Sequence, residues 1–241
     1  MPKPVAVIAG VGEGVGLGLA KRFATGGYRT VMLARSVEKF AAFERSIEQA
    51  GGEAKGLKAD VRDEVGTIDL VARIEQEFGP IEVAIYNAGA QHRKPLLEIN
   101  GDVFEKVWRL GCFGGFIFGR EVIRHMLPRG KGSLLYTGAT SSVRGAQNFA
   151  AFAAAKFGIR AVAQSMAREF GSQGIHVATV IIDGAVDMPA IHKMRPELKA
   201  SLPENGMLKP DAIAETFFQI HKQHPSAWTM ETEVRPFCEK F

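Results

Sequence analysis

Apolar residues occur along the chain in short runs, and the longer segments between them repeat their apolar positions every three or four residues. The short runs predict β-strands, and the helical repeat predicts amphipathic helices. Strands are predicted at residues 5–9, 30–34, 54–59, 81–86, 133–137 and 177–182, with a weaker one at 227–234. Because apolar strands that alternate with helices are typical of a sheet buried on both faces, we predict an α/β fold. The expected architecture is a doubly wound Rossmann-type sheet of about seven parallel strands.

The helical segments lie between the predicted strands and connect them. They are predicted at residues 37–50, 65–78, 104–126, 150–170 and 211–221. Ser36 is the expected N-cap of the segment that begins at residue 37. Since no proline- or serine-rich linker and no internal repeat divides the chain, a single domain over residues 1–241 is expected. The longest irregular stretch, residues 187–209, is expected to form a lid over the strand ends.

Charge and cysteine usage argue against several classes of protein. The chain has 30 Lys and Arg against 26 Asp and Glu, a net charge of +4, and its basic residues are spread over both halves. Without a run of basic and aromatic residues, no nucleic-acid partner is expected. The apolar run after Met1 is too short for a signal peptide or a membrane span, and Cys112 and Cys238 form no C-x-x-C pair. We expect a cytoplasmic protein without membrane contact, disulfide or metal site.

A glycine-rich segment follows the first predicted strand and precedes a helical segment. Gly10, Gly14 and Gly16 have the spacing G-x-x-x-G-x-G, which differs from the G-x-G-x-x-G dinucleotide fingerprint. Because backbone amides at the start of a helix bind phosphate groups, the segment predicts a nucleotide diphosphate site. The alternative is a tight strand-to-helix turn that holds no ligand.

The glycine spacing resembles that of the short-chain dehydrogenase/reductase family, and further motifs extend the resemblance over nearly the whole chain. They are Asp60-Val61 after the third strand, Asn87-Ala88-Gly89 after the fourth, Lys156 in the helix after the fifth and Asp183-Gly184 after the sixth. The resemblance implies an NAD(P)-dependent oxidoreductase with a Rossmann fold. The nucleotide contacts that it implies are Gly10, Gly12, Glu13, Gly14, Val15, Gly16, Asp60, Val61, Asn87, Ala88, Gly89, Lys156, Gly184 and Val186.

The residues after the second predicted strand bear on the choice of dinucleotide. NAD-binding chains place an acidic residue there for the ribose 2′-hydroxyl, whereas this chain has Ala34, Arg35 and Ser36. Because an arginine fork binds a 2′-phosphate, NADP(H) is favoured over NAD(H), with Arg35 and Ser36 as contacts. Against this, Glu13 lies in the glycine turn where NADP-binding relatives often carry a basic residue. A solvated surface charge is the alternative role for Arg35.

Most catalytic positions that the resemblance implies carry no polar group in this chain. The family's tyrosine lies four residues before its lysine, its serine lies thirteen residues before the tyrosine, and its asparagine lies in the fourth helix. These positions hold Phe152, Ala139 and Gly111, and only Lys156 is retained. The enoyl reductases of the family place their tyrosine seven residues before the lysine, which here is Phe149. The resemblance therefore implies an atypical member that lacks the usual proton donor.

Other polar side chains near the predicted strand ends are candidates for proton transfer or for hydrogen bonds to a substrate. Carbonyl reduction needs a proton for the developing alkoxide, and an imidazole titrates in a suitable range. His92 is the candidate acid, and Ser141 and Ser142 are candidate hydrogen-bond donors to the substrate, with a structural role as the alternative for each of them. Further candidates are Tyr86, Tyr136 and His192.

Two functions remain open from the sequence. The first is an NADP(H)-dependent oxidoreductase in which Lys156 holds the nicotinamide ribose, with a small carbonyl, alcohol or activated double bond as substrate. The second is a catalytically inactive dinucleotide-binding protein that serves as a sensor or as a partner subunit. In both cases the small apolar residues of segment 150–170 suggest that a second helix covers it. Together with the usual assembly of the family, this predicts a homodimer or homotetramer.

Overall fold

The computed structural model describes residues 3–239, so the first two and last two residues of the predicted domain lie outside the described part. The strands within it are β1 (Val5–Ala9), β2 (Arg29–Ala34), β3 (Glu53–Lys58), β4 (Ile81–Tyr86), β5 (Gly132–Ala139), β6 (Ile175–Ile182) and β7 (Glu231–Val234). They form one sheet in the order β3-β2-β1-β4-β5-β6-β7, and every neighbouring pair is parallel. The predicted doubly wound parallel sheet is confirmed.

Helices connect the strands and cover both faces of the sheet. Those in the described range are α1 (Val15–Thr25), α2 (Phe40–Gln49), α3 (Glu64–Phe78), α4 (Gly101–Trp108), α5 (Gly114–Met126), α6 (Ala150–Phe170), α7 (Pro189–Met194), α8 (Leu198–Ser201) and α9 (Pro210–His221). Two apolar clusters fill the space between these helices and the sheet. Alternate residues of β1 enter opposite clusters: Ile8 packs with α1, α2 and α9, and Val7 packs with α3, α5 and α6. Because every β1 side chain is buried, the strand is apolar throughout.

The order of strands reverses beside β1. The chain leaves β1 for β2 and β3 on one side of the sheet and later returns to β4 on the other side. In open parallel sheets, the crevice beyond the carboxyl ends of the strands at such a reversal is the usual ligand site. The candidate site therefore lies where β1 and β4 end, next to Gly10 and Asn87.

The helix predicted at residues 104–126 is confirmed, although it begins at Gly101 and contains a π-helical turn that the sequence did not predict. The turn at Arg109–Phe113 joins α4 directly to α5. Inside this turn, the carbonyl oxygen of Leu110 accepts a hydrogen bond from the hydroxyl of Tyr86 on β4. A Cβ added at Gly114 would lie 2.6 Å from that hydroxyl oxygen. A buried side chain from the sheet thus satisfies a carbonyl that the widened turn leaves free.

The predicted start of α2 is wrong, because Ser36 does not cap the helix. The helix begins at Phe40, with Lys39 at the N-cap position and no side-chain cap. Phe40 is buried and packs on β3 so closely that a Cβ added at Gly56 would overlap its ring. The helix therefore starts where its first large apolar side chain reaches the core, and Ser36 remains in the loop after β2.

The stretch at residues 187–209 is less irregular than the sequence predicts, because α7 and α8 lie within it. Its two ends are held together. The amide of Asp187 donates to the carbonyl of Leu208, and the amide of Leu208 donates to the carbonyl of Ala185, both at 2.8 Å. The segment therefore leaves the sheet after β6 and returns to the same place, so that it forms a loop whose two ends are hydrogen-bonded to each other.

Hydrogen bonds made by His221 join the end of α9 to the amino-terminal ends of the strands, which lie opposite the candidate site. Nε2 of His221 lies 2.5 Å from the hydroxyl oxygen of Tyr28, and Nδ1 lies 2.8 Å from Oγ of Ser133. Burial, followed by nearby positive charges that include Lys222, lowers the pKa of His221 to about 4. The folded protein thus keeps this imidazole neutral well into the acidic range.

We expect acid to destabilise the protein through His221. The imidazole titrates near pH 6.5 in the unfolded chain and near pH 4 in the folded protein, so the unfolded state takes up the proton first. The free energy of unfolding then falls between these pH values, by about 3 kcal/mol in total from this group. Urea denaturation between pH 7 and pH 4 measures the slope, which should be shallower in His221→Gln. An equal slope in this variant would contradict the assignment.

Candidate functional site

A cleft of about 700 Å³ opens at the carboxyl ends of β1 to β4, at the reversal of strand order. Most of the predicted nucleotide contacts line it. These are Gly10, Gly12, Glu13, Val15, Gly16, Arg35, Ser36, Asp60, Val61, Asn87, Ala88 and Gly89. Gly14, Lys156, Gly184 and Val186 lie outside the lining. The structure thus brings together motifs that are separated by up to about eighty residues in the sequence.

Close packing accounts for the glycines of the first turn. The φ angle of Gly10 is +92° and that of Gly14 is +131°, a region that L side chains rarely adopt. A Cβ added at Gly10 would lie 2.5 Å from the backbone of Ala88, and one at Gly16 would lie 2.7 Å from the carbonyl oxygen of Gly10. The turn therefore sits directly on the end of β4, and larger residues would push it away.

The other side of the turn is open. A Cβ added at Gly12 would meet no atom within 4 Å, although Gly12 lines the cleft. α1 begins at Val15, so the unpaired amides and the positive end of its dipole lie at this turn. The arrangement combines free space with amide donors, which suits the binding of an anion such as a diphosphate.

Asn87 fixes the floor of the cleft by joining three strand ends. Its backbone amide donates to the carbonyl of Ala9 at 2.9 Å, and its side-chain Nδ2 donates to the carbonyl of Gly10 at 2.8 Å. Its Oδ1 accepts a hydrogen bond from the hydroxyl of Thr137 on β5 at 3.0 Å. The ends of β1, β4 and β5 are therefore held in register at the site.

Charged side chains line the cleft where β2 and β3 end. Arg35 and Ser36 follow β2, and Nζ of Lys39 lies 2.7 Å from Oε2 of Glu13 across the cleft mouth. After β3, Asp60 forms an ion pair with Arg62 at 2.6 Å. The hydrogen bond from Arg62 is the main reason that the pKa of Asp60 lies below its usual value. At this end of the cleft, Lys39 and Asp60 are therefore each held in an ion pair.

Lys156 lies at the opposite end of the cleft, beneath Gly89. It projects from α6, is buried, and donates from Nζ to the carbonyl oxygen of Thr137 at 2.7 Å. A Cβ added at Gly89 would lie 3.5 Å from Nζ, so the amine adjoins the lining although its residue is not part of it. Burial lowers the pKa of Lys156 to about 8. The amine is thus poised to exchange a proton near neutral pH.

An aromatic side chain lies near this lysine. Nζ lies 5.8 Å from the ring centroid of Phe152, one helical turn earlier in α6. Phe149 lies at the N-cap position of α6, with the guanidinium of Arg93 5.9 Å from its ring centroid. A Cβ added at Gly111 would lie 2.8 Å from the Cβ of Ala155, so the helices leave no space for a side chain there.

Burial excludes Tyr86 and Tyr136 as proton donors. Tyr86 and Tyr136 are buried between the sheet and α5, and their hydroxyls donate to the carbonyl oxygens of Leu110 and Gly115. Burial raises the pKa of both hydroxyls above the usual value. Both residues therefore serve the packing of the core.

The remaining predicted polar candidates lie near the cleft but outside its lining. Ser141 and Ser142 are buried in the turn after β5, where Oγ of Ser142 accepts a hydrogen bond from the amide of Ala139 at 3.0 Å. His92 lies partly exposed in the loop after β4. Nε2 of His192, on α7, lies 2.6 Å from a carboxylate oxygen of Asp187. The hydroxyl oxygen of Ser142 thus stabilises the turn after β5.

Lys39 and Met188 line the cleft although the sequence did not predict them as contacts. Lys39 falls within the segment predicted as a helix at residues 37–50, and no motif marks it as a contact. Met188 belongs to the segment after β6, and a Cβ added at Gly14 would lie 2.7 Å from its sulfur. No sequence signal indicates this contact, because only the folded chain brings the segment over the glycine turn.

The chain matches known proteins in sequence as well as in the geometry of the cleft. A model of the short-chain dehydrogenase family matches residues 4–199. The chain is similar to a gluconate 5-dehydrogenase of Gluconobacter oxydans, with 34% identity over 71% of this chain and 67% of the relative. It is also similar to a 3-dehydrosphinganine reductase of Arabidopsis thaliana, with 33% identity over 88% of this chain and 65% of the relative. Among residues 3–239, no helix combines the length and the apolar character needed to cross a bilayer.

Solved structures agree with this assignment. A short-chain dehydrogenase from Rhodopseudomonas palustris is 40% identical, with 97% of this chain and 99% of that chain covered and a TM-score of 0.84. An actinorhodin polyketide ketoreductase crystallised with NADPH has the same fold, with 24% identity, 98% coverage of both chains and a TM-score of 0.90. The family resemblance predicted from the motifs is confirmed: the chain belongs to the short-chain dehydrogenase/reductase family of oxidoreductases.

Proposed function

We propose that this chain is an NADP(H)-dependent oxidoreductase that acts on a small carbonyl, alcohol or activated double bond without a tyrosine proton donor. Phe152 and Ala139 stand at the positions where the family has its tyrosine and serine. The observation that carries the proposal is the buried amine of Lys156 beside Gly89, at the end of the cleft opposite Arg35. The whole chain acts as one domain, and residues 187–209 form the lid of the substrate site.

The cleft residues fit a dinucleotide. The open space at Gly12 and the amides at the start of α1 suit a diphosphate, and Asp60 with Val61 lines the end suited to an adenine. Arg35 follows β2 at the position from which an arginine reaches a ribose 2′-phosphate. Gly184 and Val186 flank the nicotinamide end in this proposal.

The choice of NADP(H) over NAD(H) rests on charge at the end of β2. No carboxylate occupies positions 34–36 to accept a hydrogen bond from a 2′-hydroxyl, and Arg35 with Ser36 supplies donors for a phosphate. A ketoreductase of the same fold was crystallised with NADPH, which supports this choice.

Lys156 performs two tasks in this proposal. A bound dihydronicotinamide supplies the hydride that reduces the substrate carbon. The Lys156 ammonium would hold the ribose next to the nicotinamide by hydrogen bonds, and it would hold a proton close to the developing alkoxide. Because burial lowers its pKa to about 8, it releases this proton more readily than an ordinary lysine. His92 and Ser141 contact the substrate in this proposal, whereas Ser142 is fully buried and accepts a hydrogen bond from the amide of Ala139, so it stabilises the turn.

Assembly into a homodimer or homotetramer in the cytoplasm completes the proposal. Large apolar side chains remain exposed on α4, α5 and α6, including Phe104, Trp108, Phe116 and Phe157. Exposed aromatic residues on adjacent helices are typical of a face that a second subunit covers.

Turnover with NADPH and a panel of aldehydes, ketones and enones, followed by nicotinamide absorbance, tests the function. We expect Lys156→Met to lose most of the rate and the control Lys131→Met, on the surface, to keep it. The wild-type rate of reduction should fall as the pH rises through about 8, because the amine then lacks its proton. Nucleotide binding without turnover on any member of the panel would favour an inactive dinucleotide-binding protein.

A further inference from the structure

An ion pair crosses the mouth of the cleft between the glycine turn and the start of α2. Nζ of Lys39 lies 2.7 Å from Oε2 of Glu13, and both residues line the cleft. Both side chains are well exposed, with 62% of Lys39 and 44% of Glu13 accessible. An exposed pair of this kind contributes little to folding, since solvent screens it. It is therefore free to exchange partners when an anion enters the cleft.

The pair lies beside the groups that follow β2. Arg35, Ser36 and Lys39 all line the same side of the cleft, and Lys39 is the N-cap residue of α2. Together they offer a guanidinium, a hydroxyl and an ammonium within one short segment. A phosphate dianion binds best where several such donors converge, whereas a ribose hydroxyl needs none of the positive charge.

We propose that Glu13 and Lys39 set the selectivity between NADP(H) and NAD(H). Lys39 is a second cationic ligand for the 2′-phosphate beside Arg35, and Glu13 holds Lys39 in an ion pair that the phosphate must displace. This inference rests on the proposed dinucleotide site and adds two residues to it. NAD(H), which has no 2′-phosphate, leaves the pair intact on binding.

The two nucleotides should therefore respond differently to the same substitutions. In Glu13→Gln, Lys39 is released and the repulsion between carboxylate and phosphate disappears, so NADPH binds roughly three- to tenfold more tightly. In Lys39→Met, NADPH binds about tenfold more weakly, because the phosphate loses a charged ligand. NADH affinity should change less than NADPH affinity in both variants, because the diphosphate is common to the two nucleotides and only NADPH carries the 2′-phosphate.

Glu38 provides the matched control. It also lines the cleft beside Lys39, but Lys39 pairs with Glu13. Glu38→Gln removes the same charge as Glu13→Gln and leaves the ion pair in place. Its effect on the ratio of NADPH to NADH affinity should be smaller than that of Glu13→Gln, because the ion pair between Glu13 and Lys39 stays in place.

Isothermal titration calorimetry of wild type and variants with NADPH and with NADH tests the inference. The double variant Glu13→Gln/Lys39→Met separates the two contributions to the gain in NADPH affinity. The gain from Glu13→Gln should be smaller when Lys39 is absent, because only the loss of repulsion then remains. An equal gain in both backgrounds would mean that Glu13 acts by repulsion alone, and would overturn the ion-pair competition. An unchanged affinity ratio in Glu13→Gln and Lys39→Met, in a protein that binds both nucleotides, would overturn this inference alone. Failure of the wild type to bind either nucleotide would overturn the proposed function together with it.

Discussion

Replacing Phe152 by tyrosine should raise the rate of NADPH-dependent carbonyl reduction by about 10²–10⁴-fold, the usual contribution of a positioned general acid. The Phe152 ring lies 5.8 Å from Nζ of Lys156, so a hydroxyl on this ring would be close to a cation that stabilises its ionised form. Phe152 is only partly buried, and the added oxygen replaces no core atom. Initial rates on an aldehyde or ketone, followed by nicotinamide absorbance, measure the effect.

The control for this substitution is Phe78→Tyr. Phe78 is partly buried, as Phe152 is, but it lies at the end of α3 just before β4 begins, at the opposite end of the sheet from the cleft. Phe78→Tyr adds the same hydroxyl away from the cleft, and the rate should not change. If a folded Phe152→Tyr protein is no faster than the wild type, then Phe152 does not face the reacting carbon, and the assigned position of the missing acid is wrong.

Substituting alanine for Gly10 should be strongly destabilising and should abolish nucleotide binding. The φ angle of +92° is strained for alanine, and the new Cβ would lie 2.5 Å from the backbone of Ala88. Strain and overpacking together cost about 3 kcal/mol or more. This corresponds to a melting temperature lower by roughly 6–12 °C for a chain of this size, measured by calorimetry or circular dichroism.

Gly12→Ala separates binding from folding at the same turn. Its Cβ would meet no atom within 4 Å, so the melting temperature without nucleotide should stay close to that of the wild type. The methyl group would project into the space assigned to the diphosphate, and NADPH affinity should fall. A normal affinity in Gly12→Ala would contradict the placement of the diphosphate, and a normal melting temperature in Gly10→Ala would contradict the close packing on Ala88.

The sheet could be predicted because its strands are buried on both faces. β1 has no polar side chain between Val5 and Ala9, and a short run of this kind before a helical segment is typical of a buried parallel strand. The π-helical turn inside the helix predicted at residues 104–126 could not be predicted in the same way. It depends on the Tyr86 hydroxyl reaching Leu110 from another element, and the helical repeat of the sequence continues through it.

The glycine turn could be predicted because its residues are close together in the chain, so that their spacing is visible in the sequence. Ser36 failed as an N-cap because the burial of Phe40, rather than local capping, decides where α2 begins. The pair of Glu13 with Lys39 joins residues that are twenty-six positions apart. The sequence contained both charges, but only the fold determines that they meet at the cleft mouth.

A crystal structure of the chain with NADP⁺ tests the central claim most directly. We predict the diphosphate over Gly12 at the start of α1, the 2′-phosphate at Arg35, and the nicotinamide ribose hydroxyls within hydrogen-bonding distance of Nζ of Lys156. A dinucleotide bound with its nicotinamide end away from Lys156, or bound outside this cleft, would contradict the account.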